Sequence, residues 1–172
     1  MNLDPLSPLF NSDMGFIYNL SRRYEEAMIW YQKSLEIEPR YGHAFHEMGI
    51  IYTVQEKFEE AEKNFQEAIR LTGGLPWSVV WLSYVYSKLG KREKAESLLK
   101  ELQDRSQKEY IHHSCFAASY LGLGDPEKAF EHWNDAYEER EGVLCMIKVL
   151  PVCDPFRSDP RFDELLEKMN LK

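Results

Sequence analysis

The sequence predicts an all-α fold built from repeated pairs of helices. The main observation is an internal repeat: RRYEEAMIWYQKSLEIEP at residues 22–39 returns as EKFEEAEKNFQEAIRLTG at residues 56–73. Two further shifts by the same distance keep one tyrosine and one alanine in register, and no strand pattern interrupts this periodicity. The recurring residues are Tyr18, Tyr52, Tyr86 and Tyr120, with Ala27, Ala61, Ala95 and Ala129.

The first helix of each copy carries a small residue three positions before the tyrosine. One helical turn places the two on the same face. The small side chain would let a neighbouring helix approach, and the aromatic residue would fill the core beside it. The small residues are Gly15, Gly49, Ser83 and Ala117. We expect the four tyrosines and Trp133 to be core residues.

The segments between the predicted helices contain residues that commonly end one helix or begin the next. In GLGDPEKA, at residues 122–129, Gly124 suits a helix end, Asp125 a cap and Pro126 the first turn of the next helix. Pro39 would stop the helix that precedes it. The chain therefore alternates helix, short turn and helix.

The repeat unit, about 34 residues long, resembles the tetratricopeptide repeat over residues 8–143. The resemblance implies a right-handed superhelix, an α-solenoid with a concave inner side, because one helix pair cannot bury its apolar face alone. We expect a single domain over residues 1–172. It would hold repeats at 8–41, 42–75, 76–109 and 110–143 and a cap at 144–172.

The residues after the last repeat predict a C-terminal capping helix. Ser158 or Asp159 can cap a helix whose first turn holds Pro160. The following segment RFDELLEKMNL places four apolar residues on one face, which would cover the end of repeat four. They are Phe162, Leu165, Leu166 and Met169.

Two longer segments, YLGLGDPEKAFEHWNDAYEER and DPFRSDPRFDELL, sharpen the resemblance. They look like the C-terminal repeat tails of bacterial multidomain signalling proteins, whose N-terminal parts are kinase, adenylate cyclase or winged-helix domains. Stand-alone repeat proteins contain similar sequence segments. This sequence contains no motif of those N-terminal domains. Because of the resemblance, a regulatory or oligomerising tail of a larger signalling protein is an alternative to an independent scaffold.

Composition narrows the classes of partner. The net charge is −8 and the pI is near 5.2. An acidic protein of this kind lacks the clustered positive charge that binds nucleic acid or an anionic membrane surface. No apolar run approaches the roughly 20 residues of a membrane span. Three cysteines are too few for a disulfide framework. These features predict a cytoplasmic protein with no nucleic-acid or membrane partner.

The sequence predicts no catalytic, metal-binding or cofactor-binding site. The Gly73-Gly74 and GLG segments are helix-joining turns and lack the pattern of a phosphate loop. His112, His113 and Cys115 lie close in sequence, but zinc requires converging ligands. The side chains of adjacent glutamates point in different directions on a helix, which is typical of a solvent-exposed face and not of a catalytic acid/base pair. We therefore expect a non-enzymatic protein with no metal and no cofactor.

The resemblance implies that the first helices line a groove that binds a protein or peptide partner. Its aromatic and apolar positions suit an amphipathic helix or an extended apolar segment. If the histidines take part, binding should weaken near pH 6. A carboxylate clamp is disfavoured, since only Lys88 and Asn19 offer suitable groups. The predicted groove residues are Phe16, His43, His46, Ile50, Trp77 and Tyr84.

The N-terminal end suggests a second mode of association. LDP at residues 3–5 mirrors IEP at residues 37–39, as if the chain opened on the end of a preceding repeat. The first helix pair would then expose an apolar face. The sequence thus also allows a homo-oligomer, or a self-assembling unit, through the first repeat. That face is near Leu9, Phe10, Phe16 and Ile17.

Overall fold

The computed structural model describes residues 7–171, and all regular secondary structure within that range is helical. The described α-helices are α1 (Pro8–Leu20), α2 (Tyr24–Ile37), α3 (Gly42–Val54), α4 (Phe58–Thr72), α5 (Pro76–Lys88), α6 (Arg92–Ser106), α7 (His113–Gly122), α8 (Pro126–Glu138) and α9 (Pro160–Lys168). Two 3-10 helices, Gly142–Met146 and Pro151–Phe156, lie between α8 and α9. The predicted all-α fold of paired helices is confirmed. The motif at residues 3–5 lies outside the described residues.

The chain divides into two compact units, Met1–Ser78 and Val79–Lys172, with the division inside α5. In the first unit α1 packs against α2 and α3 against α4, and in the second α7 packs against α8. Within the described part of the chain, no helix is both long enough and apolar enough to cross a membrane.

The turn inside each helix pair uses a left-handed residue at the same repeat position. Arg22, Glu56, Gly90 and Gly124 occupy this position in successive repeats and have φ between 58° and 81°. Glycine adopts this conformation without steric cost, whereas Arg and Glu are accepted with some strain. The break predicted at Gly124 is therefore one instance of a feature common to all four repeats.

Aromatic rings of the second helices fill the space beside the small residues of the first. A Cβ built on Gly15 would lie 2.6 Å from Cε1 of Tyr31, and one built on Gly49 would lie 2.8 Å from Cε1 of Phe65. Tyr31 and Phe65 are fully buried. The role predicted for the small residues is confirmed at Gly15 and Gly49, but the ring that uses the space belongs to the second helix.

The four repeat tyrosines expected in the core differ in burial, and Tyr18 packs against the core cluster of the first unit while keeping part of its surface exposed. Tyr86 is buried, as is Trp133, whereas Tyr18, Tyr52 and Tyr120 are half-buried. These tyrosines lie near the turns. The guanidinium of Arg23, for example, lies 4.6 Å from the ring centroid of Tyr18. A cation over an aromatic face is stabilising and leaves the ring partly in contact with water.

We expect Gly49→Ala to lower the free energy of unfolding by about 1–3 kcal/mol, the usual cost of overpacking a core. The added methyl group would meet the Phe65 ring, which is fully buried and has little room to shift. Urea unfolding followed by circular dichroism measures this effect. Gly142→Ala is the control, since nothing lies within 4 Å of a Cβ built there. Equal stability of the two variants would contradict this account of the α3–α4 contact.

The predicted C-terminal cap is confirmed as α9, which packs on α8. Its N-cap is Asp159, whose Oδ1 accepts from the backbone N–H of Arg161 at 3.0 Å. Asp125 caps α8 in the same manner, accepting from the N–H of Lys128 at 3.1 Å. Of the apolar face predicted for α9, Phe162, Leu165 and Leu166 are buried, and Met169 is half-buried.

Candidate functional site

The six predicted groove residues lie on first helices of three repeats. Phe16 is on α1, and His43, His46 and Ile50 are on α3. Trp77 is in the first turn of α5, in the first unit, whereas Tyr84 is on the same helix but in the second unit. The placement on first helices follows directly from the repeat register.

These residues differ in accessibility. The side chain of His43 is exposed, while Phe16 and Trp77 are half-buried. His46, Ile50 and Tyr84 are buried, with 8% or less of each residue exposed. Three of the six residues therefore present side-chain surface to a ligand, and the other three lie beneath the surface.

The two histidines form a stacked pair on α3. Their ring centroids are 6.1 Å apart with an interplanar angle of 14°. Nδ1 of His46 lies 3.0 Å from Oγ of Ser78, at hydrogen-bond distance. His46 thus joins α3 to the first turn of α5, directly beside Trp77. Its ring also packs on Phe65, with centroids 5.7 Å apart.

Burial changes the ionisation of the histidines. Removal from water lowers the pKa of His46 to about 3, and the surrounding protein atoms, which partly desolvate the more exposed His43 ring, also lower the pKa of His43. His46 is therefore neutral at pH 6. The expectation that this residue becomes charged near pH 6 is wrong, because the sequence does not reveal how deeply the ring is buried.

Glu47 is a buried acidic residue that the sequence analysis missed. The Tyr31 hydroxyl donates to its Oε2 over 3.4 Å, and its Oε1 lies 3.8 Å from Nε2 of His43. Burial raises the pKa of Glu47 to about 7. Glu47 is the only acidic residue of α3, a helix that is otherwise mostly apolar, and this composition is the sequence signal that could have indicated its burial.

Tyr84 belongs to the packing of the second unit. Its ring contacts Trp81 edge-on, with centroids 5.4 Å apart, and Nζ of Lys88 lies 5.1 Å from the centroid of Tyr84. The backbone of Gly122 comes so close that a Cβ built there would lie 2.9 Å from Cα of Tyr84. Gly122 therefore allows the close approach of α7 to α5.

Glu141 is a second buried acidic residue that the sequence does not reveal. Its carboxylate accepts from the backbone N–H of His113 at 2.5 Å, from that of Ser114 at 3.2 Å, and from the Ser114 hydroxyl. These N–H groups are at the N-terminus of α7, where negative charge is favourable. A residue distant in sequence, beyond the end of α8, thus caps α7.

We expect Glu141→Gln to lower the free energy of unfolding by about 1–3 kcal/mol. The amide NH2 would face backbone N–H donors that the carboxylate now satisfies. Urea unfolding gives the difference. The matched control is Glu138→Gln, which makes the same chemical change at an exposed position of α8. A loss no larger than that of the control would show that Glu141 does not act as the cap.

Comparisons with known proteins agree with this geometry. Two family models, each described as a tetratricopeptide repeat, match residues 33–148 and residues 12–41. No curated protein matches the chain. Among solved structures, the chain is similar to YrrB, described as "a TPR protein with an unusual peptide-binding site". The TM-score is 0.57 at 17% identity, over 95% of this chain and 87% of that one, a likeness that concerns the fold alone.

Proposed function

The chain belongs to the tetratricopeptide repeat family, and on that premise we propose that it is a non-enzymatic scaffold for protein interaction. Repeats of this family are generally protein-interaction modules. The proposed ligand is a peptide or a helical segment of a partner protein. The observation that carries this proposal is the placement of aromatic and imidazole side chains on the first helices of successive repeats.

Phe16, His43 and Trp77 are proposed to make the direct contacts. They lie in one unit and each keeps side-chain surface in contact with water. Ile50 and His46 are proposed to support them from below, since His46 stacks on His43 and bonds to Ser78 beside Trp77. Tyr84 is proposed to support α5 from within the second unit.

The composition of this surface favours an apolar or aromatic partner segment. Aromatic anchors supply most of the binding energy in many interfaces. A ligand held by its terminal carboxylate is not favoured, because Asn19, one of the two groups suited to such a clamp, is buried. The peptide site in the printed description of YrrB supports a peptide ligand by analogy.

Selection of a random peptide library on the immobilised full chain tests the proposal. Enriched peptides would then be titrated against Trp77→Ala and Phe16→Ala. Each substitution should weaken binding by about tenfold or more if the side chain is an anchor. Trp30→Ala is the matched control, because Trp30 is also half-buried but lies on α2, a second helix.

Two outcomes would contradict this function. A library that yields no specific peptide would remove the evidence for a peptide scaffold. Equal loss of affinity in Trp77→Ala and Trp30→Ala would place the contact elsewhere. Circular dichroism of each variant separates a lost contact from a lost fold.

A second candidate, self-association through the first repeat, rests on two exposed residues of α1. Leu9 is 57% exposed and Ile17 is 55% exposed, and their spacing of eight residues places them on one helix face. Sedimentation across a wide concentration range, with the double substitution Leu9→Ser and Ile17→Ser, tests it. A monomer at every concentration would argue against this candidate. The alternative of a regulatory tail stays a prediction.

A further inference from the structure

Metal-ligating side chains of α7 and α8 converge in the second unit. Nδ1 of His113 lies 3.2 Å from Nδ1 of His132 and 3.5 Å from Oδ2 of Asp135. Candidate donor atoms of the three residues all lie within 4.8 Å of one another. We propose that His113, His132 and Asp135 form a zinc site, with a fourth position for water or for a side chain of a bound partner.

The distances suit tetrahedral coordination. Bonds from zinc to imidazole nitrogen are about 2.0–2.1 Å long, so that two ligands at the tetrahedral angle are about 3.3 Å apart. The two separations from His113 Nδ1 fall on either side of this value. The Asp135 side chain is 57% exposed and can rotate toward both nitrogens. Two imidazoles and one carboxylate are a suitable donor set for zinc.

Aromatic packing holds the His132 ring in place. It stacks on Phe116 with centroids 5.1 Å apart and on Tyr120 with centroids 5.2 Å apart. A ligand fixed in this way loses little conformational freedom when the ion binds.

The other nitrogen of His113 faces a second carboxylate. Its Nε2 lies 3.5 Å from Oε1 of Glu139, and the Tyr110 hydroxyl donates to Oε2 of Glu139 over 2.8 Å. Metal-bound histidines commonly turn their second nitrogen toward a carboxylate, which fixes the ring. Without a metal, a hydrogen bond between the two imidazoles and ion pairs of His113 with the two carboxylates would account for the same contacts, and the zinc titration distinguishes the two states.

The sequence does not reveal this cluster, and the expectation of no metal site came from local spacing alone. His113 and His132 are 19 residues apart and meet only when α7 packs on α8. The two other residues considered as metal ligands from the sequence lie outside the cluster. Cys115 is buried, and His112 precedes α7 as its N-cap. The partner that matters for His113 therefore comes from the next helix.

Titration of the full chain, freed of metal by chelator dialysis, tests the site. Zinc would be added in competition with a chromogenic chelator, and cobalt(II) would report the coordination geometry by its visible absorption. We expect one zinc per chain and a tetrahedral cobalt spectrum. His113→Gln and Asp135→Asn should each weaken zinc binding by more than about tenfold, and Glu139→Gln by about tenfold. His132→Phe should also weaken binding while it keeps the aromatic stack.

His112→Gln is the matched control, because it removes a histidine next to the cluster but outside it. Its affinity should equal that of the unchanged chain. The proposal is overturned if zinc does not bind, if His112→Gln loses as much affinity as His113→Gln, or if cobalt gives an octahedral spectrum. Circular dichroism confirms that each variant is folded, so that lost binding reports a lost ligand.

Discussion

Trp133→Ala should lower the free energy of unfolding of the second unit by about 3–5 kcal/mol, the usual cost of deleting a large core ring. Trp133 is only 4% exposed. Its ring stacks on Phe156 with centroids 4.4 Å apart and also contacts Phe162 on α9, with centroids 5.6 Å apart. Loss of the ring removes the surface on which the C-terminal cap packs. Urea unfolding followed by circular dichroism measures the loss.

Trp133→Phe is the control that separates packing from the indole N–H. Among the described residues, Nε1 of Trp133 has no hydrogen-bond partner and is buried, which is unfavourable. Phenylalanine removes this group and keeps most of the ring contact. We expect it to cost much less than alanine. Equal losses in the two variants, or a loss under about 1 kcal/mol for alanine, would show that the ring does not hold the cap.

The cap shows why the fold could be predicted from the sequence. Asp159, Pro160 and the apolar face from Phe162 to Leu166 are local signals, and local hydrogen bonding and helical periodicity determine what they form. The same holds for the turn at Gly124. The internal repeat adds independent evidence at each copy, so that an error in one copy does not change the fold class.

Burial of individual side chains could not be predicted in this way. His43 and His46 both occupy positions that the repeat predicts to face the groove. The structure nevertheless leaves His43 exposed and buries His46 against Phe65 and Ser78. Glu141 resembles the many solvated glutamates of the chain, and Glu47 and Glu141 are each buried by residues distant in sequence. Such contacts arise from tertiary packing, which a residue pattern does not encode locally.

Glu47→Gln should stabilise the first unit at neutral and alkaline pH. Folding raises the pKa of Glu47 from its ordinary value of 4.5 to about 7, since the charged carboxylate is buried. Between these two values the folded state holds one proton more than the unfolded state, so the free energy of unfolding falls as pH rises. One unit of pKa difference corresponds to about 1.4 kcal/mol, so the loss reaches about 3 kcal/mol above pH 7.

His46 acts in the opposite direction. Folding lowers its pKa from 6.5 to about 3, so the unfolded state takes up a proton first and stability is lost as pH falls below 6.5. Between pH 4.5 and pH 6.5 the contributions of Glu47 and His46 oppose each other, so the stability of the unchanged chain should rise less steeply with pH than it would without Glu47.

Removing one of the two groups exposes the other. Glutamine keeps an oxygen that can accept from the Tyr31 hydroxyl, and it has no charge to bury. Urea unfolding from pH 4 to pH 8 should show Glu47→Gln equal to the unchanged chain at the acid end and more stable by up to about 3 kcal/mol at pH 8. Between pH 4.5 and pH 6.5 its stability should rise with pH more steeply than that of the unchanged chain. Glu36→Gln, at an exposed position of α2, should leave the profile unchanged. Parallel curves for Glu47→Gln and the unchanged chain would mean that Glu47 is ionised in the fold, and that its charge is compensated.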